Sequence, residues 1–551
     1  MDDEHPVGEH VVDLLVVGGT VVDGTGAPGV ATAVGIRDGR IAALGAPEAF
    51  AAQAVLDVEG NVVAPGFVDA HGHSDLALLS APGSPSKLHQ GVTTEVAGNC
   101  GLAVAPVPAE GDLDAIRQQL AIVDVDHEVP WRWRSVAEYL ALLEGQGTGL
   151  NVELLAGHLA IRAGVVGFDD RGASARELAR MQDLVDSALR EGACGLSTGL
   201  MYPPNSYADL RELTALGEVV AAHGATFSFH MRDYGDELLG AVEEALSVGR
   251  RSGCRIQLSH LVAVGRRNWG KVDMALALID QAVESGVDVA HDVYPYLAGS
   301  TNLTQLFSNR AMQGGIDGLL GRLSDPQERA EIRRELAASM LQEPEDIRVA
   351  GGTFPDPSDV VGRSVAELSS AWTTDPLDTI LVLTERSRGT ATMVAFGRSE
   401  GDLRAALRHP RGMIGSDGLG LDPSGPSGSG QPHPRSYGCY PRLLARYVRD
   451  EPVLSLEEAI ARSTSRVATT FGLDDRGVIE PGRRADIVVF DPGRIEDRAT
   501  FEAPQRFAVG VSTVLVNGQP VIADGQPTAH RPGAIAPRRK LIQDNEMKEP
   551  Q

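Results

Sequence analysis

Short β-branched runs separated by Gly-rich turns open the chain: DLLVVGGTVVDGTG, ATAVGIRDGRIAALG and AVLDVEGNVVAPG. Runs of this kind predict hairpin strands. The same texture returns in GVIEPGRRADIVVFDP and AVGVSTVLVNGQPVIADGQP, so residues 1–64 plus 475–530 are expected to form one small β-sandwich built from both ends of the chain. Between them the pattern changes. Eight apolar runs, VVAPGFVDAHGH, GVTTEVAGNC, VELLAGH, CGLSTGL, ATFSFHMRD, RIQLSHL, DVAHDVYPY and GMIGSDG, alternate with helix-length segments. Residues 173–191 and 236–250 repeat apolar side chains three and four apart, which predicts amphipathic helices. Alternating strands and helices predict a parallel sheet, and eight repeats predict an α/β fold of the (β/α)8 TIM-like barrel type over 65–305 plus 366–474.

The connection between the seventh and eighth runs, from Asn302 to Arg411, is too long for a loop. It contains the helix-like DPQERAEIRRELAASMLQ and the strand-like DIRVAGG, so an inserted lid subdomain is expected over 306–365. The following DPLDTILVLTER reads as a returning barrel helix. Residues 531–551, with several Pro and charges, read as an extended tail.

Composition narrows the function classes. The chain has 551 residues, 42% hydrophobic and 23% charged, which excludes wholesale disorder. Its 49 basic and 75 acidic residues leave a net charge of −26, which disfavours nucleic acid and anionic membrane surfaces as partners. No run approaches the ~18 apolar residues of a membrane helix. The opening MDDEHPVGEH lacks the basic and apolar regions of a signal peptide. Cys100, Cys194, Cys254 and Cys439 form no CxxC pair, so a reducing, cytoplasmic setting is expected. The expected partner is a small-molecule substrate. The oligomeric state is left open.

The candidate chemistry lies at the ends of the apolar runs. His71 and His73 end the first, and side chains two apart on a strand share a face. Cys100 ends the second run, His230 the fifth, His260 the sixth and Asp417 the eighth. Barrel enzymes carry their chemistry at C-terminal strand ends, so these side chains are expected to converge. Imidazole and thiolate suit zinc. Cys100, His230 and His260 make a three-ligand set, and His71 with His73 an incomplete second one. Asp417 is placed to take a water proton and return it to a leaving nitrogen. A single His is usually surface or a satisfied interior residue, and His5, His10, His89, His127, His223, His409 and His530 are read so. Cys194 and Cys254 are read as small buried hydrophobes.

In order along the chain, APGFVDAHGHSD, GVTTEVAGNCG, GLSTGLMYPPNSY, FHMRD, QLSHL, YPYLAGST, IGSDG, HPRSYGCYPR and GVIEPGRRADIVVFD resemble the N-acyl-D-amino-acid deacylase (D-aminoacylase) group of the amidohydrolase superfamily. The resemblance implies a zinc-dependent hydrolase of a linear amide, an N-acyl (D-)amino acid or related acylamine. It implies a tight zinc on Cys100, His230 and His260, a weaker second site at His71 and His73, and Asp417 as the catalytic acid/base. It also implies that Tyr202, Tyr294 and Ser300 hold the substrate's α-carboxylate. One departure stands out. The family often has Lys two residues after the sixth-strand His, to pair with that carboxylate, and this chain has Val262. Arg266, Arg267, Lys271 and Arg435 are the expected replacements. The alternative is a neutral amide, cyclic amide, ester or lactone without a free α-carboxylate. The hydantoinase version of that alternative usually needs a carboxylated Lys, and Ser197 and Thr198 stand at the fourth strand end instead.

Overall fold

The computed structural model describes residues 10–123, 126 and 128–535. Its centre is a sheet of eight parallel strands in chain order: β1 (Phe67–Asp69), β2 (Val92–Ala97), β3 (Asn151–Gly157), β4 (Gly195–Gly199), β5 (Thr226–His230), β6 (Arg255–Leu258), β7 (Val289–Val293) and β8 (Gly412–Ile414). Nearly every residue of these strands is buried, as expected of strands covered on both faces. The sheet curls into a barrel, and β1 meets β8 just beyond their regular ends. There Gly72 bridges Gly418, Asp417 N–H donates to His71 O at 2.7 Å, and His73 N–H donates to Gly418 O at 3.0 Å. Barrel closure and the candidate ligands therefore share one stretch of backbone.

Helices pack around the barrel as the 3.6-residue pattern requires. Ala175–Arg190 buries Leu178, Met181, Val185, Ala188 and Leu189, and starts at a capping box of Ser174 and Glu177. The guanidinium of Arg171 and the Ser174 backbone N–H hold Glu177 down to about 2, so this helix start is anchored by an ionised carboxylate. Leu238–Ser252 buries Leu238, Ala241, Val242, Ala245 and Leu246 and stops at Gly253.

Two further sheets stand beside the barrel. One has four strands, all from residues 10–57; the other has seven, three from residues 20–65 and four from 487–527. They enclose an apolar layer of Val16, Val34, Ile36, Ile41, Val63, Ile487, Val489 and Leu515. This is a sandwich made from both ends of the chain. Beyond it, Gly533 and Ile535 bridge Thr148 and Val152 beside β3, and the rest of the expected tail, from 536, lies outside the described residues.

The insert is larger than 306–365. Its three-stranded antiparallel sheet takes Gly299–Asn302, Ile347–Gly351 and Thr392–Ala395, so it begins and ends outside those limits. Helix Pro376–Arg386 does not return to the barrel. Its Ile380, Leu381 and Leu383 join Leu319, Ile332, Leu336 and Val349 in the insert's own apolar cluster. The returning barrel helix is Glu400–Arg408, which packs on Lys271–Glu284 and β8. An amphipathic helix reads the same in sequence whichever core it covers, which is why DPLDTILVLTER is ambiguous until the chain is folded. On these contacts we place the insert at 299–395.

Candidate metal centre at the barrel mouth

Each candidate ligand is set by the turn that follows its strand. Cys100 sits in the GNCG turn after β2 with φ of 57°, between Gly98 (φ 81°) and Gly101 (φ 71°). Glycine is suited to the left-handed flanks, and the turn carries the thiol back over the barrel axis. Ser197 of β4 holds it there: its Oγ accepts from Gly101 N–H at 2.9 Å and donates to Gly98 O at 2.5 Å. His260 and Asp417 are also left-handed, with φ of 36° and 51°. Such backbone is uncommon for these residues and marks positions the surrounding structure over-determines. Gly72 stands between the two histidines of the first strand end because a Cβ there would overlap the Glu95 carboxylate.

The six side chains converge. His71 Nε2 lies 3.2 Å from Cys100 Sγ, and Cys100 Sγ lies 3.5 Å from His260 Nε2. His73 Nε2 is 3.0 Å and His71 Nε2 is 3.6 Å from Asp417 Oδ1. Cys100, His230 and His260 form one triad whose ligand atoms all lie within 4.8 Å of one another, and His71, His73 and Cys100 form another. All are buried. The thiol is common to both triads, so one sulfur can serve two adjacent positions. His5 and His127 lie outside the described residues. His10, His89, His223, His409 and His530 do not join the cluster; His89 stacks on Phe507, and His409 contacts Asp280 and His291. Cys194 and Cys254 are buried.

The electrostatics fit a cation. Burial pushes His230 down to about 3 and His260 well below the usual imidazole range, so both are neutral electron-pair donors. Burial raises the Cys100 thiol. Burial also lowers His71, but Asp292, Cys100 and Asp417 around it outweigh that and raise it well above the ordinary value: positive charge is favoured at this spot. Neither ring nitrogen of buried His230 has a hydrogen-bond partner. A buried polar group without a partner is costly, and a metal ion ligated by the imidazole removes the cost. Two borderline-soft nitrogens and a thiolate are a zinc donor set.

Supporting groups escaped the sequence reading. Asp292 of β7 accepts from His71 Nδ1 at 3.2 Å and from His260 N–H at 3.0 Å, and contacts Gln257. A carboxylate on one imidazole nitrogen directs the other toward a metal. The only trace of it in sequence is a charged residue inside the apolar run VAHDV. Below lies a buried ion-pair network: Lys87 Nζ is 2.6 Å from Asp69 Oδ2 and 3.6 Å from Glu95 Oε1, and donates to Ser416 Oγ. Asp69 also accepts from the backbone N–H groups of His71 and Ser416, so this network ties both closing strand ends to one ammonium.

A cavity of about 700 Å³ opens above the ligands. The barrel side contributes Tyr202, Tyr294 and Val262, and the insert contributes Ser300, Phe307, Met340 and Leu341. Tyr202 Oη is 3.0 Å from Thr301 Oγ1. Arg435 Nη1 lies 2.6 Å from Asp417 Oδ2 and donates to Tyr294 Oη at 2.7 Å. Burial raises the Asp417 carboxyl, but Arg435 and His71 outweigh it and, with the His73 hydrogen bond, hold it well below the usual carboxylate range. Arg266, Arg267 and Lys271 do not line the cavity: Arg267 pairs with Asp236 in an exposed site, and Lys271 donates to Asp236 O. Arg398, which no sequence signal marked, does line it and donates from Nη1 to Tyr294 Oη at 2.6 Å.

A model of the amidohydrolase family matches residues 54–522. The chain is 39% identical over 531 residues to the N-acyl-D-glutamate deacylase of Alcaligenes xylosoxydans xylosoxydans, covering 96% of this chain and 98% of the relative. It is 35% identical over 531 residues to the D-aminoacylase of the same organism, with the same coverage. The solved N-acyl-D-glutamate deacylase of Bordetella bronchiseptica, complexed with zinc and a phosphonate mimic of the tetrahedral intermediate, is 37% identical and superposes with a TM-score of 0.81 over 95% of this chain and 99% of that one.

Proposed function

The chain belongs to the amidohydrolase family, and from that premise we propose that it is a zinc-dependent N-acyl-D-amino-acid deacylase, cleaving a linear amide to a carboxylic acid and a D-amino acid. The observation that carries the reading is the convergence of Cys100, His230, His260, His71 and His73 on one buried point beside Asp417, with both His230 ring nitrogens unpartnered. Cys100, His230 and His260 would hold the tight zinc, and His71 and His73 would hold a second, weaker one. When bound, the ion lowers the pKa of water and polarises a carbonyl oxygen.

The chain's own residues do the rest. Asp417 starts ionised, because Arg435 and the two first-strand histidines stabilise its charge. It takes the proton of the attacking water as base and delivers it to the amide nitrogen as acid, so that the amine leaves neutral. Arg435, Tyr294, Ser300 and Tyr202 line the adjoining wall and hold the substrate's α-carboxylate, fixing the amide over the ligand cluster. The insert roofs the cavity and excludes bulk water. The substrate-free-of-carboxylate alternative suggested by Val262 is disfavoured by the guanidinium groups that remain in the cavity. No helix among the described residues is long and apolar enough to cross a membrane. The four cysteines are buried and none is disulfide-linked, which supports a cytoplasmic setting.

The test is metal analysis with a turnover assay. Purified protein should carry about one tight zinc and release amino acid from N-acetyl-D-amino acids in preference to their L-enantiomers. A zinc-loaded preparation that hydrolyses none of a broad N-acyl-D-amino-acid panel would overturn the proposal.

A further inference from the structure

A substrate carboxylate in this cavity needs a cationic partner, and Val262 lines it with an isopropyl group. Among the described residues lining the cavity, the Lys and Arg side chains reduce to Arg398 and Arg435. Arg435 can donate hydrogen bonds to that carboxylate, but its charge is already balanced by Asp417, 2.6 Å away. That of Arg398 is not. Its guanidinium lies over the Tyr294 ring, 5.0 Å from the centroid, donates to the phenol oxygen at 2.6 Å, and pairs with no carboxylate among the described residues. Gly299 gives it room, since a Cβ there would overlap the Arg398 Nη2. The loop carrying it follows the insert strand Thr392–Ala395 and is fastened by Trp269 Nε1 donating to Gly397 O at 3.0 Å. A part-buried guanidinium in a cavity, held by a neutral phenol and lacking an anion, is a site for one.

We propose that Arg398 binds the α-carboxylate of the substrate, replacing the ammonium absent at Val262, and that the subsite beside it takes an uncharged, apolar side chain. Arg398 and Arg435 converge on the same Tyr294 oxygen, so the pair reads a single anion. No further Lys or Arg among the described lining residues remains for a second one. The cavity lining also includes the apolar Val262, Val264, Leu341 and Phe396, and Asp233, whose carboxylate disfavours an acidic side chain. The substrate class is therefore N-acyl-D-amino acids with aliphatic or aromatic side chains, unlike the glutamate for which two of the similar proteins are named.

The inference rests on the deacylase reading. The test measures kcat/KM for N-acetyl-D-leucine, its carboxamide and N-acetyl-D-glutamate with zinc-loaded wild type, Arg398→Ala and Arg398→Lys, with zinc content as the check on folding. Wild type should favour the leucine substrate over the glutamate one by about a hundred-fold. Arg398→Ala should reduce the preference for acid over carboxamide by about ten- to a hundred-fold, the size of one charge-assisted contact, and Arg398→Lys should restore part of it. An unchanged preference in Arg398→Ala overturns the carboxylate role; a wild-type preference for glutamate overturns the apolar subsite. Should wild type hydrolyse none of the three, the deacylase reading fails, and calorimetric binding of D-leucine decides the clamp alone: weaker binding in Arg398→Ala supports it, equal binding overturns it.

Discussion

At the scale of single residues, the proposed function divides the cluster into groups assigned to hold a metal and one, Asp417, assigned to move a proton. Cys100 belongs to two of the three candidate ligand triads among the described residues. Cys100→Ala should therefore strip most of the zinc, as read by metal analysis of the purified variant; full metal content there would remove the thiol from the ligand set. Asp417 touches His73 and Arg435 and is held ionised. Asp417→Asn should keep the tight zinc and lower kcat by about 10²–10⁴-fold, the usual contribution of a positioned acid/base. A near-normal kcat would make Asp417 a structural residue. Lys87 shows how the fold supports this chemistry. It is fully buried against Asp69 and Glu95, and both carboxylates lose their counter-charge in Lys87→Met. Leaving buried charge unpaired costs about 3–5 kcal/mol, so thermal unfolding of that variant should fall sharply; an unchanged Tm would show the network to be dispensable.

The elements differ in how they relate to the site. Most barrel strands present site side chains at or just beyond their C-terminal ends, and their burial on both faces makes the frame rigid. The insert has its own apolar core, separate from the barrel's, and meets the cavity through Phe307, Met340 and Leu341. A unit with its own core moves as a body, so it is suited to opening and closing over the mouth. Hydrogen exchange measured with and without a bound phosphonate should show slower exchange along Leu303–Phe307 and Met340–Gln342 when the inhibitor is present. Equal exchange in both states would make the insert a fixed wall.

For the whole molecule, closure of the barrel and assembly of the ligands are one event, because the His71–His73 and Asp417–Gly418 backbones bond across the seam between β1 and β8. Zinc on these ligands binds the folded chain and not the unfolded one, so it should stabilise the entire barrel. At a free zinc concentration a hundred times Kd the gain is about 2.7 kcal/mol. Chelation should lower Tm and abolish turnover together, and added zinc should restore both. A chelated protein with unchanged Tm and activity would exclude a functional metal here.

The linear pattern of residues determined the class of fold and the chemistry at the strand ends. Period-two and period-3.6 hydrophobicity are local, so eight strand–helix repeats, a β unit from both termini and an over-long seventh connection are visible in order. Ligand-type residues at the ends of parallel strands have little choice but to meet once the barrel forms, which is why His71, His73, Cys100, His230, His260 and Asp417 could be named before folding. What the pattern lacks is pairing across distance. Asp292 is an interior charge whose partner stands 221 residues away. Helix Pro376–Arg386 is amphipathic toward whichever core receives it, and only packing assigned it to the insert. Arg398 has no local motif at all. It became a site residue because the returning insert strand carries it onto Tyr294, 104 positions earlier in the chain, beside the gap that Val262 leaves.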